Sequence, residues 1–390
     1  MFNIQRPDLI PMLMNGVFAS GGGSTSPATL PAPKTLLQKQ PASPFVIGVD
    51  LGGTQIRAAV IHESTLISRA NRMTPASEGP DAVIAAISQT AHEALESAEI
   101  SINDIKGIGV STPGPLNPQT GVVFTAPNLE GWANVPLRDK LQAVFPDLPV
   151  YIGHDATLAG LGEWKYGAGK GSSNMIYMTI STGIGGGIIA NKLLVDGAVG
   201  TAGEIGHMYV DMNPHAPVCG SGHRGCLEAL ASGTAIGRDA SDRYAAGTAR
   251  AIAQVYYELI GEHPTEEQRQ PEPGETLALR ARDVAEAAKR GDAEAIEILQ
   301  AAGRVIGFGI VNLLHTLNPD RIVLGGGVAM GAGELLTQPI NAVIEENAFQ
   351  IAAKEVELTF ASLGGDNGLI GAAAYVAYRQ GLEYPNNTVL

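Results

Sequence analysis

Residues 175–207 read MIYMTISTGIGGGIIANKLLVDGAVGTAGEIGH. The apolar run 175–180 predicts a buried strand. Ser181-Thr182-Gly183 makes a turn, and Ile184-Gly185-Gly186-Gly187-Ile188-Ile189 forms a second apolar run. A dinucleotide-binding fingerprint needs a helix after its glycines, and a Walker A loop needs Gly-Lys-Ser/Thr. Neither follows here. The pattern is strand, glycine turn, strand. Such a hairpin can aim backbone N–H groups at a phosphate, because glycine lets the main chain approach closely. Glycine-rich turns also occur in ordinary sheets, so this stretch alone leaves both readings open.

Residues 45–61, FVIGVDLGGTQIRAAVI, repeat the layout: an apolar strand, Asp50, the turn Gly52-Gly53-Thr54, then alternating Ile56, Ala58 and Val60. Two such hairpins about 130 residues apart suggest a duplicated α/β fold with a cleft between its halves. A nucleotide could sit there, one hairpin under each side of its phosphates. A third cluster, Leu324-Gly325-Gly326-Gly327, follows an apolar strand at 321–324 and could let a helix start approach the nucleotide's adenosine end.

The run from Ile180 through Gly183, Gly185, Gly187, Gly197 and Gly203 to Gly206-His207 resembles the full signature of the ROK sugar kinases and repressors. The resemblance covers residues 45–380, with several separate motifs in family order, and is strongest to the bacterial glucokinases. It implies the duplicated actin-like (ribonuclease H-like) ATPase fold, with two domains flanking a cleft. The expected division is a small N-terminal domain at 45–155, with 367–390 packing back on it, and a large C-terminal domain at 156–366.

Composition agrees with a globular protein of this size. At 390 residues, two domains are the default. The chain is 45% hydrophobic and 16% charged, which separates it from disordered sequences. A net charge of −14 disfavours nucleic acid as a partner, since phosphate backbones need a basic face. No continuous apolar run reaches the roughly 18 residues of a membrane span, so no membrane association is expected. Two cysteines, Cys219 and Cys226, give no disulfide framework and fit a reducing cytoplasm. Residues 1–44 read as a flexible extension, because 19–44 is rich in Ser, Pro, Ala and Gly. Only Arg6 precedes the apolar residues at 9–18 as a positive charge, so a signal peptide is not expected. ROK repressors carry a winged helix-turn-helix ahead of the sugar domain, and this extension is too short and too rich in glycine and proline to build one.

Along the chain, strands are expected at 66–73, 106–110, 149–152, 321–324 and 356–360. Helices are expected at 81–98, 156–166, 235–260, 283–289, 293–317, 331–347 and 367–379, with an exposed polar insertion at 262–275. Ser111-Thr112-Pro113-Gly114-Pro115 is a rigid turn. Asn128 lies near Trp132, and its amide can donate to and accept from sugar hydroxyls. Asp155 follows a strand and opens a helix, where a helix cap and a catalytic base are both reasonable uses of an aspartate.

The resemblance assigns roles to these positions. Asp155 matches the family's catalytic base, which sits in an Asn-Asp pair. His154 replaces that Asn, which leaves sugar preference open. Gly114, Asn128, His154, Asp155, Glu204, His207 and Glu228 are expected around the sugar. Asp50, Gly52, Gly53, Thr54, Thr182, Gly183, Gly185, Gly326 and Gly327 are expected around Mg2+ and ATP, with the Thr54 and Thr182 hydroxyls donating to phosphate oxygens. Zinc-binding members read Cys-x-Cys-x-x-x-x-Cys where this chain has Cys219-Gly-Ser221-Gly-His223-Arg-Gly-Cys226. A neutral hydroxyl is a poor zinc ligand. Three outcomes follow: zinc on His207, Cys219, Cys226 and His223; a weakened site lacking a fourth ligand; or a loop without metal.

The function expected is ATP-dependent phosphorylation of a hexose, glucose at its 6-hydroxyl in the first instance. N-acetylmannosamine, mannose and fructose are the alternative acceptors, and polyphosphate is an alternative donor. A non-catalytic sugar-sensing regulator and an actin-like chaperone or filament ATPase are the rival classes. Family members commonly form homodimers.

Overall fold

The computed structural model describes residues 44–126, 128–263, 265 and 276–382. The N-terminal extension at 1–43 and most of the insertion expected at 262–275 lie outside the described residues.

Two sheets repeat one design. In the first, β1 (Phe45–Leu51) and β2 (Gln55–His62) form an antiparallel hairpin. The short strands β3 (Thr65–Leu66) and β4 (Ala70–Met73) both pair with β2. On the other side of β1, strand β5 (Ile105–Thr112) runs parallel to it. A small antiparallel sheet of β6 (Leu116–Asn117), β7 (Val122–Thr125) and β8 (Ala133–Val135) follows. The chain then returns as β9 (Val150–His154), parallel to β5. In the second sheet, β10 (Met175–Ile180) and β11 (Ile184–Ala190) form the antiparallel hairpin, extended by β12 (Leu193–Leu194). Strands β13 (Arg321–Gly325) and β14 (Glu357–Phe360) continue in parallel from β10. Hairpin followed by two parallel strands is thus built twice, as the paired glycine turns implied.

Each sheet has its own core. Ile47, Val49 and Val110 of the first pack with Val83, Ile87 and Ala91 of helix Pro80–Ala98. Met178, Ile180 and Leu324 of the second pack with Ile298, Ile306 and Ile310 of helix Ala293–Leu317. Fully burying each such aliphatic side chain contributes roughly 1.5–3 kcal/mol before entropy is counted. Helix Ala293–Leu317 is long and apolar enough to cross a membrane, but 56% of its most apolar window is buried inside the fold, which marks it as a core helix.

Two helices lie between the sheets. Leu158 and Leu161 of helix Asp155–Tyr166 share a cluster with Tyr177, Val323 and Tyr375. Helix Asn367–Gln380 contributes Tyr375 there and packs Leu369, Ala373 and Val376 against Val46 and Ile61 on its other side. The contact is close enough to need glycine. A Cβ on Gly48 or Gly109 would strike the carbonyl oxygens of Leu369 and Ala372, and Gly162 faces the backbone of Gly371. Glu163, fully buried, joins the two helices through the segment between β14 and the last helix. Its carboxylate accepts from the N–H groups of Ala168 at 2.8 Å, Ser362 at 3.0 Å and Leu363 at 2.9 Å.

Several expected elements differ in extent. The strand at 66–73 is two pieces, because Ser68 turns inward and donates its hydroxyl to the carbonyl of Ala94 at 2.6 Å. The helix at 235–260 is broken into Gly233–Ala245 and Arg250–Ile260, with Gly247 at φ 90° between them. The helix at 331–347 is also two, Gly327–Ala332 and Glu334–Asn347, parted by Gly333 at φ 55°. Left-handed backbone cannot continue a right-handed helix.

Candidate active site

Strands β1, β5, β9 and β10 all end at the same cleft, as do the starts of helices Asp155–Tyr166 and Asn367–Gln380. Asp50, Ser111, His154, Asp155, Tyr177, Thr179, Thr182, Gly183, Gly185, Glu204, His207, Glu228, Asn367 and Gly368 line a cavity of about 430 Å3 there. A second cavity of about 830 Å3 adjoins it and shares Ser181 and Thr182. Its wall includes Thr234, Tyr256, Arg280, Arg282, Lys289, Gly327 and Val328. The turn of the β10–β11 hairpin is therefore the partition between a small polar chamber and a larger one.

Helix Gly233–Ala245 holds that turn. Its first N–H groups, on Gly233 and Thr234, donate to the carbonyls of Ser181 at 2.7 Å and Thr182 at 3.1 Å. Glu228 fixes the other side, accepting from the N–H of Ile184 at 3.0 Å. Any Cβ on Gly183 would run into that carboxylate, which is why the turn needs glycine.

Asp155 is the first residue of its helix, and His154 is both the last residue of β9 and the helix cap. The Asp155 Oδ1 atom accepts from the N–H of Ala156 at 2.6 Å and lies 3.3 Å from His154 Nδ1. Its side chain is 52% exposed, into the cleft, so the carboxylate is held by the backbone yet open to a ligand. Asp50 pairs across the first hairpin with Arg57, whose Nη2 lies 2.5 Å from Oδ2. Tyr177 enters the chamber from β10, and its hydroxyl accepts from Asn367 Nδ2 at 3.2 Å. Burial pushes the Tyr177 phenol up to about 12, so it acts as a neutral hydroxyl.

The cavity brings together nine of the residues singled out from the sequence: Asp50, His154, Asp155, Thr182, Gly183, Gly185, Glu204, His207 and Glu228. Others stand back from it. Gly114 packs on the His154 ring, where a Cβ would come 2.8 Å from Cδ2. Gly53 packs on Asn128, leaving 2.7 Å between an added Cβ and the Asn128 Cβ. Gly52 and Thr54 build the first turn, which Thr74 ties down by donating its hydroxyl to Gly52 and its N–H to Thr54. Gly326 caps helix Gly327–Ala332, and Gly327 lines the larger cavity. Ser111, Tyr177, Thr179 and Asn367 line the chamber without having been given a role from the sequence, and Ser111, expected in the turn at 111–115, lies in β5 instead. They sit in apolar strands or at a helix start, where no spacing rule separates a site residue from a core one.

The loop after Glu204 and His207 gathers sulfur and nitrogen. Ligand atoms of His207, Cys219 and Cys226 lie within 4.8 Å of one another. Cys219 Sγ is 3.9 Å from His207 Nδ1 and 3.8 Å from His223 Nδ1. Tetrahedral zinc would place sulfur and nitrogen ligands about 3.6 Å apart. Ser221 is exposed, whereas the His223 ring lies beside His207, tilted 37° to it with centroids 4.4 Å apart. Burial pushes the Cys226 thiol up, so a metal would have to displace its proton. His207, Cys219 and Cys226 together could hold a metal ion, and His223 approaches that group at Cys219.

Residues 46–379 match the ROK family. The chain belongs to that family. This ROK chain is 36% identical over 346 residues to a glucokinase of Halalkalibacterium halodurans, covering 88% of itself and 98% of that relative. It is 31% identical to an N-acetylmannosamine kinase of Yersinia pseudotuberculosis, over 84% of its own length and 97% of the other. Among solved structures, a ROK family glucokinase from Streptomyces griseus in complex with glucose and AMPPNP is 32% identical, with a TM-score of 0.68 over 85% of this chain and 98% of that one.

Proposed function

We propose that this ROK protein is an ATP-dependent sugar kinase that phosphorylates a hexose, glucose at its 6-hydroxyl in the first instance. One observation carries the reading: the Asp155 carboxylate and the β10–β11 turn open onto a single polar chamber that adjoins a larger one. A sugar in the small chamber would have Glu204, His207 and Glu228 within reach of its hydroxyls. A nucleotide whose base lies in the larger chamber would pass its phosphates over Thr182 and Gly183. Arg280, Arg282, Lys289 and Glu286 line that larger wall, and Asp283 pairs with both arginines.

The chemistry required of the protein is modest. Phosphoryl transfer passes through a loose transition state, so positioning and charge stabilisation dominate. Asp155 would accept the proton of the attacking hydroxyl, which becomes acidic as its bond to phosphorus forms. Backbone N–H groups of the two hairpins would take phosphate oxygens. Mg2+ bound with ATP supplies neutralisation of phosphate charge, and the oxygen donors at Asp50 suit it. Closing the cleft would exclude water and suppress ATP hydrolysis.

ADP release measured with glucose, mannose, fructose and N-acetylmannosamine tests this. Glucose is expected to give the highest kcat/KM. A failure of every sugar to stimulate ADP release, with sugar binding retained, would turn the reading to a sugar-sensing regulator.

For the cysteine loop we propose zinc held by His207, Cys219, His223 and Cys226. Purified protein is expected to carry about one zinc per chain and to lose it in His223→Ala, with a lower melting temperature, because metal binding to such a loop is folding energy. Retention of zinc by His223→Ala would point to the three-ligand site instead.

A further inference from the structure

Ser111 lies at the floor of the polar chamber with its hydrogen-bonding capacity unused. Its residue exposure is 0%, and among the described residues its Oγ has no partner. Arg72 Nε and Trp132 Nε1 share that condition, but neither residue lines this cavity. A buried hydroxyl without a partner costs the folded protein stability, and alanine would fill the same space without that cost. The hydroxyl therefore has a use that the free protein does not show, one reached by rotation about its Cα–Cβ bond, because the Oγ as it stands is closed to water.

Its position says what that use is. Strands β1 and β5 are parallel and in register here, with Asp50 opposite Ser111. Side chains alternate along a strand, so Ser111 continues the row begun by Gly109, and Asp50 the row begun by Gly48. Both glycines lie under helix Asn367–Gln380. Asp50 and Ser111 thus stand side by side where the two rows emerge at the start of that helix. Arg57 occupies the Asp50 Oδ2 atom through Nε at 3.2 Å and Nη2 at 2.5 Å. The other oxygen, Oδ1, is the one beside Gly368, 2.7 Å from where a Cβ would stand. A carboxylate oxygen and a hydroxyl are both hard donors. Magnesium is held in this way, through one or two carboxylates and substrate phosphates, while it keeps several of its waters. A bare phosphate would be repelled by Asp50, whereas a metal-bound water donates strongly to a hydroxyl oxygen.

We propose that Ser111 Oγ hydrogen-bonds the hydrated magnesium ion that accompanies the nucleotide, next to Asp50. This rests on the kinase reading above and adds a residue to it. The test is calorimetric binding of ADP to the full chain and its Ser111→Ala variant, with saturating Mg2+ and with EDTA, together with glucose binding and ligand-free melting. In Ser111→Ala, ligand-free melting should not fall. Affinity for ADP with Mg2+ should weaken about ten- to a hundredfold, the worth of one hydrogen bond to a charged partner. Affinity for ADP in EDTA and for glucose should not change. Ser111→Cys, which keeps one heavy atom beyond Cβ but replaces the hard oxygen with soft sulfur, should show the same loss. Unchanged affinity with Mg2+, an equal loss in EDTA, or a loss confined to glucose would each overturn the Ser111 inference while leaving the kinase reading intact. Wild-type protein that binds no ADP with Mg2+ would overturn both.

Discussion

Asp155→Asn is expected to lower kcat about a thousandfold, roughly 4 kcal/mol of transition-state stabilisation, while glucose and ATP bind as before. The geometry makes the substitution a clean one. Asp155 Oδ1 accepts from the N–H of Ala156 at 2.6 Å, a bond that the amide oxygen of asparagine can also accept. With the side chain open to the cleft, no buried contact is lost. What asparagine cannot do is take the proton that leaves the sugar hydroxyl. A lower kcat with unchanged dissociation constants is the signature of an interaction made only in the transition state. Quench-flow turnover and equilibrium binding on the same preparation check it. A rate near wild type would remove Asp155 from the chemistry.

Glu163→Ala is expected to produce the largest loss of stability, about 3–5 kcal/mol. The carboxylate is fully buried and accepts from three backbone N–H groups, on Ala168, Ser362 and Leu363, with the Ser362 hydroxyl 3.3 Å away. Truncation strands these donors away from water. The damage should reach the site as well. Glu163 clamps the helix that begins at Asp155 to the segment that leads into Asn367, and both helix starts line the chamber. Denaturant unfolding should show the midpoint falling with little change in slope, and residual folded protein should turn over more slowly. Glu163→Gln, which keeps one acceptor oxygen, should lose less. Equal stability of Glu163→Ala and wild type would show that the clamp contributes nothing.

How far the sequence could be read depends on what each signal measures. The two glycine turns were legible because a strand, a tight turn and a second strand leave a local pattern, and its repetition implied the duplicated sheet. Helix Ala293–Leu317 was legible to the residue, since an asparagine-proline stop closes a long apolar run, and the structure adds an Asp292 cap. Breaks at Gly247 and Gly333 were not, because glycine is tolerated inside a helix and only the backbone shows which ones adopt positive φ. Asp155, Glu204, His207 and Glu228 were found through motif resemblance, and their residue types suit the chemistry. Tyr177 was invisible, because an apolar strand gives no sign of which of its residues emerges at the cleft, and Ser111 was read as part of the turn at 111–115 and not as the end of β5.

By itself, then, the sequence determined the strand-turn-strand repeat and the residue types available for catalysis, both of which are encoded in neighbours along the chain. Only the tertiary structure decided that Ser111 stands beside Asp50 without a partner, that Glu163 ties two distant segments together, and that His223 rather than Ser221 faces Cys219. Those facts depend on contacts between residues far apart in the chain, and such contacts are fixed by the packing of helix Asn367–Gln380 and the cysteine loop against the sheets, which no local pattern records.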